Sequence, residues 1–120
     1  MNDQQVDELL FSLLHMRKRP GMYVYTVEPE SIITYLHGVQ TVLHVLGHKV
    51  TERNVLIERG WDPHGGTHPY AIMRSRGIPE ALMIDEIMGA FITALQRHFS
   101  ISDEHIQSLQ QRFGLGATKT

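Results

Sequence analysis

Between Pro79 and Phe99 the chain carries Ile84, Ile87, Met88, Phe91, Ile92, Leu95 and Phe99, apolar residues spaced three or four apart. That spacing gathers them on one side of a helix. Pro79 and Glu80 suit its start, because proline has no N–H to waste in a first turn and a carboxylate meets the positive end of the helix dipole. A helix this long with one wide apolar side must be covered by other elements.

The rest of the sequence supplies helices to cover it. Val6, Leu9, Leu10, Leu13 and Leu14 predict a first helix from about Gln4 to Arg17. Arg17-Lys18-Arg19 puts positive charge in its last turn, and Pro20-Gly21 ends it. Met22 to Thr26 is aromatic and β-branched, an extended link or a short strand. A second helix starts at Pro29 and Glu30, buries Ile32, Leu36, Val39, Leu43 and Leu46, and ends at Gly47. Thr34, His37, Thr41, His44 and His48 form a polar stripe along it. Lys49 to Trp61 reads equally as strand or short helix. Residues 62–69 form a loop rich in Gly and Pro, and Tyr70 to Arg76 suits a short helix closed by Gly77.

Ser102 is placed to cap a last helix, with Asp103 and Glu104 in its first turn. That helix turns Ile106, Leu109 and Phe113 inward and stops at Gly114, leaving 115–120 as a frayed tail. The expectation is a mainly α single domain over residues 1–120. It is a compact bundle of about five helices, with room for a short two-stranded element.

A chain of 120 residues buries about two-thirds of its unfolded surface, enough for one core. It contains no cysteine, so disulfides, thiolate metal sites and cysteine nucleophiles are excluded. The first residues lack a signal-peptide pattern, and no apolar run has membrane-spanning length, so a cytoplasmic protein without membrane contact is expected. The net charge of −2 gives no field for nucleic acid. Arg17, Lys18 and Arg19, with Tyr23 and Tyr25 for stacking, are the basis for a nucleic-acid reading. The helix dipole already accounts for the three cations, so no nucleic-acid partner is expected.

The string Arg17-Lys18-Arg19-Pro20-Gly21-Met22-Tyr23 resembles a stretch near the start of the type II topoisomerase ATPase subunits, such as gyrase B. In that family the next helix carries the acidic residues and Asn of the nucleotide site. Here the helix from Ser31 to His44 contains neither, so the resemblance does not extend to ATP hydrolysis. The same string, followed by Tyr35-Leu36-His37-Gly38, Gly60-Trp61 and the run from Ile84-Asp85-Glu86 to Phe99, resembles small bacterial immunity proteins of contact-dependent inhibition and related polymorphic toxin systems. That resemblance implies an immunity protein that binds a cognate toxin and covers its active site. It implies no cofactor and no catalysis. Many immunity proteins of nuclease toxins are strongly acidic, and this nearly neutral chain departs from them.

Trp61 to Tyr70 combines two aromatics with Asp62, His64 and His68, a composition suited to anchoring a partner. Trp61 reads equally as a core residue that pins the loop. Glu28 and Glu30 form a second patch able to meet basic toxin residues. The histidines also permit an alternative. His44 and His48, or His64 and His68, stand four apart, a spacing that can present two metal ligands, and the His64/His68 loop would then serve a small metal-assisted enzyme. No His-Glu-x-x-His string accompanies them to supply a general base.

Overall fold

The computed structural model describes residues 1–62, 65 and 67–112. Among them are six α-helices and no strand. They are α1 (Asp3–Lys18), α2 (Pro29–Val45), α3 (Arg53–Glu58), α4 (Pro69–Ser75), α5 (Glu80–Phe99) and α6 (Asp103–Arg112). The fold is the mainly helical bundle that the periodicity predicts. Phe113, Gly114 and the 115–120 tail lie outside the described residues, as do Pro63, His64 and Gly66.

Helix α5 is the axis of the bundle, packed against α1, α2 and α3. Its buried side is broader than the predicted stripe, because Met83, Gly89, Ala90 and Ala94 are buried too. Contact with three helices explains that breadth. Opposite α5 lie Leu10, Leu13 and Met16 of α1, Ile32 and Leu36 of α2, and Leu56 of α3, all fully buried. No helix among the described residues is long and apolar enough to cross a membrane.

The ends obey local chemistry. Asn2 caps α1: its side chain accepts from the Gln5 amide at 2.8 Å, and the Gln5 side chain accepts from the Asn2 amide at 2.9 Å. Ser102 caps α6, its Oγ accepting from the His105 amide at 3.1 Å. Gly47 and Gly77 follow α2 and α4 with φ of +91° and +64°, a region where a side chain is strained.

The basic string at the end of α1 is a joint. Arg17 donates from Nε and Nη2 to the two carboxylate oxygens of Asp85, at 2.8 and 3.1 Å, tying α1 to α5. The guanidinium lies over Gly89, where a Cβ would meet Nη2 at 2.9 Å. Asp85 is held below the usual carboxylate range, first by that hydrogen bond and then by the charge of Arg17. Pro20–Met22 forms a 3₁₀ turn rather than an extended link or strand. Tyr23 then closes the joint, its hydroxyl 2.8 Å from His15 Nδ1 and its ring edge-on to Tyr35.

The ambiguous stretch 49–61 contains the short helix α3. Two placements on α2 differ from expectation. Helix α2 ends at Val45, so Leu46 leaves the buried stripe and is 56% exposed. His48 also falls past the helix end, where its ring packs on Phe99 and on His98, with centroids 5.0 and 5.2 Å away. It therefore shares no helix face with His44.

Gly38 sits in the middle of α2, and among the described residues a methyl group added there would meet no atom within 4 Å outside its own stretch of helix. Glycine inside a helix is destabilising by roughly 0.5–1 kcal/mol relative to alanine. Gly38→Ala is therefore expected to raise unfolding free energy by about that amount in a urea melt of dilute protein. A loss of stability would mean that the fold itself requires this glycine.

Candidate partner-binding face

The predicted site residues divide into three groups. Trp61 is half-buried against the core and donates from Nε1 to Glu86 at 3.2 Å. The Arg76 guanidinium stands 5.0 Å from its ring centroid. Of the two readings left open for Trp61, this packing favours the pinning role. Asp62 is exposed, and His64 lies outside the described residues.

Tyr70 is a correction. It was expected in an exposed anchor set, but it is buried in the first turn of α4. Its hydroxyl donates to Glu52, which is 2% exposed and is the one charged side chain buried among the described residues. Gln40 of α2 donates to the other Glu52 oxygen at 2.5 Å. His68 caps α4, its Nδ1 accepting from the Tyr70 amide at 3.3 Å. Its Nε2 is 3.9 Å from Glu52, and its ring leans on that of Tyr70 with centroids 4.0 Å apart.

Burial lowers the His68 pKa and outweighs the attraction of Glu52, which favours the neutral imidazole. Burial also pushes the Tyr70 phenol far above its usual value, and Glu52 adds to the effect. The cluster satisfies a buried carboxylate while joining α2, α4 and the segment before α3. Glu52 and the Tyr70 hydroxyl bond to one another within the core. No group of three His, Asp or Glu among the described residues stands where a metal could be held.

The third group opens onto a different surface. Glu28 and Glu30 line a shallow depression with Tyr25 and Tyr35. Glu30 also pairs with Arg74 of α4. Tyr25 is fully exposed, and Met22 and Val27 beside it are exposed as well. From this depression an apolar strip runs along the outside of α2. Val42 and Val45 are 60% and 78% exposed, and Leu46 continues the strip. Between α1 and α2 the surface sinks into an open groove of about 540 Å³, lined by Leu9, Tyr35, Gly38, Val39, Val42 and Leu46.

Sequence reasoning found Glu28 and Glu30 but missed Tyr25, Tyr35, Val42 and Val45. The signal was present. From Ser31 to His48 there is no Asp, Glu, Lys or Arg, although the outer side of this helix faces solvent. A solvated surface normally carries charge at about a quarter to a third of its positions. This outer face, uncharged and partly apolar, departs from an ordinary solvated surface.

Compared with protein-family models, with curated proteins and with solved structures, the chain matches none.

Proposed function

We propose that this chain is an immunity-type protein that neutralises a cognate toxin by binding over its active site through the outer face of α2. The observation that carries the reading is the uncharged apolar strip of Tyr35, Val42, Val45 and Leu46, flanked by fully exposed Tyr25 and by Glu28 and Glu30. Tyrosines give large contact area at low entropy cost and dominate binding hot spots. Carboxylates at the rim speed encounter with a basic partner more than they tighten the complex. Occlusion needs no catalytic group, only a rigid face, and α2 is held rigid by α5 beneath it and by Glu52 at its edge.

The test is co-expression with a candidate toxin domain encoded at the same locus, together with the dissociation rate of the purified complex. Tyr25→Ala and Val42→Asp change exposed positions, so the thermal midpoint should stay within a few degrees of wild type. Each should speed dissociation about tenfold or more, a loss of about 1.4 kcal/mol, and reduce protection. Full protection and unchanged rates for both variants would sink this assignment of the face. The loop is tested in parallel by Asp62→Ala, whose effect on the rate is expected to be smaller.

A further inference from the structure

We infer that the outer face of α2 is also self-complementary, and that a second copy of this chain covers it as a two-fold dimer when no other partner is bound. The inference goes beyond the toxin reading and does not depend on it.

Three observations converge on a second copy. The first is the distribution of charge. Glu28 stands at the start of α2, where Glu30 is already paired with Arg74, Lys49 stands just past its end, and Ser31 to His48 is free of Asp, Glu, Lys and Arg. Two such helices laid antiparallel bring the acidic end of each against the basic end of the other. Both contacts are attractive, and the two helix dipoles oppose. A parallel arrangement would set like charges together.

The second is Gly38. It lies ten residues after Glu28 and eleven before Lys49, at the centre of that pattern. Among the described residues nothing outside its own stretch of helix comes within 4 Å of where its Cβ would be, so packing within the chain does not explain it. Glycine at a helix crossing lets two backbones approach closely. The third is register. A two-fold axis beside Gly38 sets Tyr35 of one copy opposite Val42 of the other, twice, and both residues line the exposed groove.

Helix α2 is about 25 Å long at 1.5 Å per residue. A stable dimer buries about 800 Å² on each partner. One helix face is smaller than that, and Met1, Leu9 and Tyr25 extend it at its sides. A face of that size sits at the low end of specific interfaces, where association is weak and transient. Such a dimer covers the same residues that the proposed toxin contact uses. The two complexes exclude each other, and a toxin that binds more tightly takes the dimer apart.

Sedimentation velocity on the full chain, from about 1 to 500 μM, is the test. Wild type should pass from monomer to dimer across that range. Gly38→Gln adds a side chain at the crossing without touching the core, and should raise the dissociation constant at least tenfold while the thermal midpoint of dilute protein stays at or slightly above that of wild type, glutamine being the better helix former. Lys49→Glu should weaken association, and adding Glu28→Lys to it should restore association. That reversal is one a merely local role for either residue would not produce. A wild-type chain that stays monomeric at 500 μM overturns the dimer. So does a dimer indifferent to Gly38→Gln and to the charge exchange. If wild type is monomeric while Val42→Asp still abolishes toxin binding, the dimer fails and the toxin reading stands. If wild type dimerises and Val42→Asp leaves toxin binding intact, the toxin reading of this face fails and the dimer stands.

Discussion

Phe91→Ala should lower the unfolding free energy by about 3–5 kcal/mol, the range for removing a buried aromatic ring. Phe91 has no exposed surface and is among the largest fully buried side chains. It sits in the middle of α5, the helix that packs against α1, α2 and α3. Three separate helices cannot all shift inward to fill one vacated ring, so most of the cavity remains. Domains of this kind are stable by only about 5–15 kcal/mol, so the variant forfeits a large share of the total. Urea denaturation with a common slope measures the difference. A change below about 0.5 kcal/mol would mean that α5 is not the axis of the bundle.

Tyr70→Ala should cost nearly as much, about 3–5 kcal/mol, and Tyr70→Phe about 1–3 kcal/mol. Phenylalanine keeps the packing and removes only the donor, so the smaller figure isolates the hydroxyl. That hydroxyl donates to Glu52, and without it the carboxylate stays buried with a lone pair unmet. The pH dependence follows from the raised pKa of Tyr70. In the unfolded chain the phenol ionises near pH 10, while in the folded chain it keeps its proton well above that. The contribution is therefore complete below about pH 10 and is lost as pH rises further. Tyr70→Phe should flatten that alkaline fall in stability. An unchanged alkaline limb, together with wild-type stability for Tyr70→Phe, would dissolve the cluster. Any loss of partner binding by Tyr70→Ala is then a consequence of lost stability.

The helices were legible in the sequence where period and punctuation agreed. Helices α1, α2, α4 and α5 lie within a residue or two of the predicted limits, because Pro29, Gly47, Gly77 and Pro79 stop or start chains for reasons that need no tertiary context. Helix α3 has only six residues, too short to show a period, and that stretch stayed undecided. Glu52 was missed for a related reason. Nothing local marks a carboxylate as buried, since its partners Gln40 and Tyr70 come from elements that meet it only in the folded chain. Tyr70 was misplaced because a loop rich in Gly and Pro implies exposure for its neighbours, whereas the next helix already begins at Pro69. The open face of α2 was hidden by the opposite assumption. Leu46 was assigned to the core for being apolar, and the charge-free run around it was legible in the sequence.

The joint between Arg17 and Asp85 spans 68 residues of sequence, and the hydrogen bond from His105 to Asp7 spans 98. The first helix therefore finds most of its packing partners at the other end of the chain, in α5 and α6. On the ribosome, α1 must wait with its leucines uncovered until α5 has left the exit tunnel, at roughly 5–20 residues per second. Local helices form in microseconds, but closing so long a loop comes before any reward from packing. A truncated or stalled chain ending before Glu80 would expose the whole inner side of α1 and α2, and it would be recognised as unfolded by the quality-control machinery of the cell.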